Sequence, residues 1–236
     1  MEKVVVLLLS EITVDVAGLL DGLTGRPASE LRRRGATGIQ VNVVDPELGA
    51  PHGMAPGEGE RLSAMLSYWV AAAGEQGVHT GLLPEVAGGR WCSYVVCESV
   101  RLAGPPASED LGRSPGFTQI VPLCVPPSLS WAEWRRRWQG SHTTVAIETQ
   151  SSFRYVQNLV VRPLGDRVPA FAAVVEESFP LSAATDNAIF YDAEGDPARL
   201  GRNLTRMIES CATFIEGRVP IAWTAEYRDG SQGISG

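Results

Sequence analysis

Apolar and polar residues recur with different periods along this chain, and the changes of period mark out its elements. Val4 to Leu9 are apolar without interruption, the pattern of a strand covered on both faces. The run LSAMLSYWV at 62–70, flanked by glycine-rich segments, predicts another strand. In the C-terminal half the same reading gives strands over about 118–125, 152–163, 169–179 and 219–228, and helices over about 130–147 and 197–215. The last helix is the most clearly marked. Asp196 stands at its cap, Pro197 in its first turn, and Leu200, Leu204, Met207, Ile208, Cys211 and Ile215 follow at helical spacing.

The plan of the chain repeats. VVVLLL begins at Val4 and VPLCVP at Val121, while VVDP begins at Val43 and VVRP at Val160, so both pairs stand 117 positions apart. Later matches, Gly89-Arg90 with Gly217-Arg218 and Glu98 with Glu226, stand 128 apart. The second copy therefore holds an insertion, which includes LSAATDNAIFYDAEGD at 181–196. Each half reads strand, helix, strand, strand, helix, strand, the order of a ferredoxin-like βαββαβ unit with both helices on one face of a four-stranded antiparallel sheet. The predicted fold is α+β, with two such units in tandem: 1–103, a Gly- and Pro-rich linker at 104–116, and 117–236. Their open, apolar sheet faces are expected to close on each other as an intramolecular barrel.

Composition narrows the partners. With 44% hydrophobic and 20% charged residues the 236-residue chain can bury a full core. A net charge of -7 and no basic stripe argue against nucleic acid. No apolar run is long enough for a bilayer span, and the start of the chain reads as a strand rather than an export signal. Cys92, Cys97, Cys124 and Cys211 form no CxxC pair. They are expected to be reduced thiols in a cytoplasmic protein. The expected partner is a small molecule, and the chain itself is read as a monomer or a homodimer.

Only three histidines are present, and one has an informative position. On a helix over 130–147, Trp131, Trp134, Trp138, His142 and Val145 share one stripe, with His142 within about 20° of Trp131's direction. The imidazole should therefore point inward, either as a hydrogen-bonded core residue or beside a cavity. Arg135, Arg136 and Arg137 fall on the solvated side. The position 117 residues earlier is Gly25, so whatever His142 does is done once per chain.

The order of motifs W..RW..SH, FRYVQN at 153–158, VVEESF at 174–179, TDNAIFYDAEGD at 185–196 and FIE at 214–216 resembles the EthD-like branch of the dimeric α+β barrel superfamily. The similarity covers most of 117–228, and the first half matches only in layout. The resemblance implies a small-molecule pocket between sheet and helices, lined by His142, Tyr155, Asn158 and Asp186. Trp134, Trp138 and Phe179 join these as candidate substrate contacts. Relatives of that barrel include decarboxylases, cyclases, dehydratases, cofactor-free oxygenases and, more distantly, haem enzymes, so the resemblance does not select a reaction.

The residues themselves suggest acid–base chemistry. A histidine suits enolisation, dehydration or decarboxylation of a carbonyl compound, and a nearby donor would hold the enolate. Tyr155 and Asn158 differ by an odd number and so face opposite sides of a strand, which makes Tyr155 the first choice as donor. Arg154 shares the face of Asn158 and reads as a surface charge. Asp186 either orients the imidazole or caps a turn. His52 and His79 lack metal-ligand spacing, and no nucleotide loop is present, so no metal and no cofactor are expected; a haem would need only one axial histidine. The expected activity is that of a cofactor-independent lyase or isomerase on an apolar aromatic or polyketide-like carbonyl compound, with His142 as acid/base and Tyr155 and Asp186 assisting. The alternatives are a non-catalytic binding protein and a cofactor-free or haem oxygenase using the same pocket.

Overall fold

The computed structural model describes residues 1–49, 51, 60–74, 77–107, 111–166 and 168–230. The chain runs β1 (Glu2–Ser10), α1 (Val16–Thr24), α2 (Arg26–Arg33), β2 (Thr37–Val44), β3 (Arg61–Val70), β4 (Gly89–Ala103), a short β5 (Gly112–Arg113) and β6 (Phe117–Leu123). There follow α3 (Trp131–Arg135), a wide π turn over Arg136–His142, α4 (Thr143–Thr149), β7 (Arg154–Leu164), β8 (Ala173–Phe179), α5 (Asn187–Phe190), α6 (Pro197–Ala212) and β9 (Ala222–Arg228).

Eight strands make one closed antiparallel barrel in the order β2-β3-β1-β4-β7-β8-β6-β9, with β9 returning to β2 and β5 appended to β9. Closure removes every long sheet edge. The N-terminal strands lie in the order β2-β3-β1-β4 and the C-terminal strands in the equivalent order β7-β8-β6-β9. The long β4 pairs with β1 along its first part and crosses to β7 along the rest, where Glu98 stands opposite Asn158.

Both faces of the first strand are covered, which explains its unbroken apolar run. Val4, Val6 and Leu8 pack outward against Leu19 and Leu23 of α1 and Leu31 of α2. Val5, Leu7 and Leu9 face the barrel interior with Met65, Tyr94, Ile120 and Val174. The interior is not uniformly apolar, as the sequence reading had it. At the Lys3 end it holds a buried ionic network. Arg154 Nη1 lies 3.0 Å from Glu176 and 3.1 Å from Glu226. Lys3 contacts both Glu98 and Glu176, and Gln40 donates to Glu176 at 2.8 Å. Arg154 is thus a buried barrel residue and not the surface charge expected, because its side of β7 faces the ring's interior instead of solvent.

The halves differ in one element. Residues 71–88 contain no helix among those described, where a second helix of the N-terminal unit was expected. Gly74, Gly77, Gly81 and Gly88 all take positive φ there, a conformation that a helix cannot use. His79 fastens this segment to the sheet: Nδ1 bonds the Tyr68 hydroxyl at 2.6 Å and Nε2 the Ser93 hydroxyl at 2.9 Å. Gly25, the counterpart of His142 in the repeat, is the junction between α1 and α2. At Gly116 (φ +71°) a Cβ would lie 1.9 Å from the Phe179 carbonyl oxygen, so only glycine lets the chain enter β6 beside the end of β8.

Candidate functional site

The C-terminal helices leave a space over the outer face of β6, β7 and β8. This cavity of about 410 Å³ has a sheet floor that includes Val121, Tyr155, Val175 and Glu177, and a helical roof that includes Trp138, His142, Met207 and Cys211. Its size is that of a small-molecule site. Leu204 and Ile208 belong to the wall yet are exposed, 38% and 59%. The apolar stripe of α6 is therefore only partly covered, and its uncovered edge borders the cavity.

The wide turn sets the roof. Thr143 N–H reaches back to the Trp138 carbonyl, five residues away, and Trp138 and His142 both meet the cavity. The His142 ring is buried, lies 4.6 Å from the ring of Phe214 between centroids, and bonds Ser210 Oγ through Nδ1 at 2.9 Å. Burial lowers its pKa to about 4, so near neutrality the imidazole is uncharged. Tyr155 is almost wholly buried and accepts from Gln157 at 3.2 Å. Burial and the neighbouring Glu177 raise its phenol pKa.

Four residues form a transverse row across the sheet, and three of them, Tyr155, Glu177 and Gln119, lie in the floor of the cavity. Tyr155 on β7 is the cross-strand partner of Glu177 on β8, Glu177 of Gln119 on β6, and Gln119 of Trp223 on β9. Trp223 Nε1 donates to Gln119 Oε1 at 3.0 Å, and Gln119 Nε2 donates to Glu177 Oε2 at 2.9 Å. Among the described residues Glu177 has no ion pair. Burial raises its pKa to about 7, partly opposed by the Gln119 hydrogen bond. The pKa of Cys211, also in the wall, is pushed up to about 12 by burial and by the adjacent Glu177.

Of the residues singled out from the sequence, His142, Tyr155 and Trp138 meet in this cavity. Four others do not. Trp134 is sandwiched between Trp131 and Trp138, with ring centroids at 5.3 and 4.9 Å, and packs behind the wall. Asn158 points into the barrel, where it donates to Glu176 at 2.7 Å; strand parity sends it away from Tyr155. Phe179 is stacked under Phe190 and against Phe117 in a separate cluster. Asp186 caps α5 by accepting from the Ala188 N–H at 2.7 Å, and the partner of the imidazole is Ser210 in its place. Glu177 and Gln119 were missed. Glu177 lay within the quoted VVEESF, and its parity with Tyr155 across a β7–β8 pair was the available signal.

A larger cavity, about 530 Å³, lies near the β1–α1 turn and the start of β9, and shares Pro51 and Ile221 with the first. Its charged residues include Asp45 and Glu60, which are paired with Arg113 and Arg90. Among the described residues it lacks a buried group with a shifted pKa, the feature that marks the smaller cavity. His79 is far from ligand chemistry, with both nitrogens bonded within the first half, and His52 lies outside the described residues. No group of three or more His, Cys, Asp or Glu among the described residues is placed to hold a metal. No helix among them is long and apolar enough to cross a membrane.

No family model matches this chain, and no curated protein matches it. Among solved structures it is similar to a candidate monooxygenase from Lactobacillus acidophilus NCFM, with 9% identity, a TM-score of 0.48, and 97% of this chain and 95% of that chain covered. It is also similar to an anthrone oxidase-like protein, with 11% identity, a TM-score of 0.49, and 100% and 96% covered. Both likenesses are of chain path, at a level where residue roles do not transfer.

Proposed function

We propose that the cavity under α6 is the active site of a cofactor-independent lyase or isomerase acting on an uncharged aromatic or polyketide-like carbonyl compound. The observation that carries this reading is one largely apolar cavity in which a neutral buried imidazole and a buried carboxyl without an ion pair among the described residues both meet the wall. Groups whose environments separate their proton affinities from the ordinary values are the usual basis of acid–base assignments.

We assign the tautomer in which Ser210 donates to Nδ1 and the ring proton of His142 sits on Nε2. Nε2 is then a donor to a carbonyl oxygen that gains charge as an enolate forms. This revises the role expected of His142. At a pKa of about 4 it is a weak base near neutrality, and polarising a carbonyl suits it better than removing a proton. Among the described residues the cavity wall holds no Lys, Arg or Asp, which disfavours the β-keto acids that a decarboxylase would need and favours dehydration, cyclisation or isomerisation of neutral compounds. In the same reading, 1–103 and 117–236 are two ferredoxin-like units, the first without a second helix among the described residues.

Incubating the purified chain with neutral two- and three-ring hydroxyketones, without added cofactor, and following products by mass spectrometry tests the proposal. Conversion by the wild type that falls about 10²-fold or more in a folded His142→Ala variant is expected. Conversion surviving within a few-fold would remove His142 from the chemistry. Tight binding without any conversion would favour a binding protein instead.

A further inference from the structure

Glu177 has a setting that the role of His142 does not use. Its carboxylate sits in the Tyr155–Glu177–Gln119–Trp223 row with, among the described residues, a single hydrogen-bond donor, Gln119 at 2.9 Å, on Oε2. Gln119 cannot turn away, because its own oxygen is held by Trp223. The adjacent Glu176 faces the other side of the strand and takes both nearby cations, Lys3 at 3.2 Å and Arg154 at 3.0 Å. Two neighbouring glutamates on one strand are thereby separated: one is held ionised by cations inside the barrel, the other is left, among the described residues, without a counter-charge beside an apolar cavity.

Among the described residues, the other polar groups that border the same cavity are Tyr155 from β7, Gln119 from β6, His142 from the wide turn, Gln150 after α4, Tyr191 after α5 and Cys211 from α6. None is a cation near neutrality: burial holds the imidazole neutral, and the phenols and the thiol keep their protons. A buried carboxylate without a positive neighbour repels a second anion strongly, since the medium screens it little.

We propose that Glu177 is the proton-accepting group of this cavity, and that it restricts the cavity to uncharged planar molecules bearing an acidic hydroxyl or α C–H, against carboxylates. This rests on the cavity being the ligand site. In the step assigned to it, the O–H or C–H bond of the ligand breaks and its electron pair stays on the ligand as a phenolate or enolate. The proton bonds to the carboxylate, which becomes neutral. The charge passes to the ligand oxygen, where a donor such as His142 stabilises it. A carboxyl that titrates about pH 7 is matched to that exchange near neutrality.

The test uses two probes of equal ring size, 2-naphthol and 2-naphthoate, with affinity measured by titration calorimetry at pH 6 and pH 8. The wild type should bind 2-naphthol at both values. It should bind 2-naphthoate about tenfold more weakly at pH 8 than at pH 6, because binding one anion then requires protonating the other. Calorimetry in two buffers of different ionisation enthalpy should show about one proton taken up per naphthoate at pH 8, and none per naphthol. Glu177→Gln should flatten the pH dependence of naphthoate binding and abolish the proton uptake. The proton count needs only the wild type, so it decides the matter even where the variant does not fold. Equal naphthoate affinity at both pH values with no proton uptake would overturn the inference while leaving the cavity a ligand site. Failure of the wild type to bind naphthol would overturn both.

Discussion

Replacing Glu176 by glutamine keeps its shape while removing its charge, and the consequence follows from four contacts. Oε1 accepts from Asn158 at 2.7 Å and from Lys3 at 3.2 Å, and Oε2 from Gln40 at 2.8 Å and Arg154 at 3.0 Å. Lys3 and Gln40 come from the first half of the chain, Asn158 and Arg154 from the second, so this one carboxylate ties the halves together inside the barrel. An amide offers one acceptor oxygen and turns an NH₂ group toward two donors. It also leaves two buried cations with one fewer counter-charge. Breaking a buried ion pair on one side costs about 3–5 kcal/mol. For a chain of this length that lowers the thermal midpoint by roughly 6–20 °C.

The pH dependence should change as well. Burial alone would raise the carboxyl's pKa, but the charges of Lys3 and Arg154 and the bonds from Gln40 and Asn158 more than offset it, and the folded pKa lies well below the ordinary 4.5. A depressed carboxyl contributes stability that is present above its unfolded pKa and is lost as pH falls through the folded one. Urea denaturation of the wild type should therefore show stability declining below about pH 4.5, and Glu176→Gln should decline less steeply there. A midpoint within about 2 °C of wild type at pH 7, with an unchanged acid slope, would refute this account of the interior.

Four further outcomes are expected. Tyr68→Phe removes the hydroxyl bonded to His79 Nδ1 and should cost about 1–3 kcal/mol in denaturant titration; a loss under about 0.5 kcal/mol would show that the segment carrying His79 does not depend on that bond. Because burial lowers His79 and His142 to about 4, both are neutral when folded, and their contribution is present above the unfolded value of 6.5 and lost as pH falls toward 4. Asp186→Ala should cost about 1 kcal/mol as a lost helix cap while leaving 2-naphthol affinity within twofold, and a larger change in affinity would restore Asp186 to the site. Since both seams of the barrel close within one chain, light scattering should give a monomer near 25.3 kDa, and a dimer would show that another face is used.

The sequence carried the order of strands well, because most are bounded on at least one side by Gly or Pro and the C-terminal helix is marked by Asp196 and Pro197. It also carried the opposed directions of Tyr155 and Asn158, which follow from strand parity alone. What parity could not supply is which side faces the barrel and which the helices. In this fold both sides are buried, so polarity is no guide. Arg154, Glu176 and Lys3 were illegible for a related reason: their pairing joins strands 22 and 173 residues apart and makes sense only once the ring is closed. The missing helix at 71–88 was foreshadowed by the glycines that take positive φ there. Glu177 was hidden by its neighbour, since two adjacent glutamates read as one polar patch until the sheet assigns them to opposite faces.

The central claim is that the cavity bordered by His142 and Glu177, and not the larger one near the β1–α1 turn, receives the ligand. A crystal structure of the chain with 2-naphthol bound is the most direct measurement. The account requires the rings between Trp138, Val175 and Met207, with the hydroxyl in hydrogen-bond reach of His142 or Glu177. Density beside Trp223 and Leu62 in the larger cavity, with the His142 cavity unfilled, would contradict it.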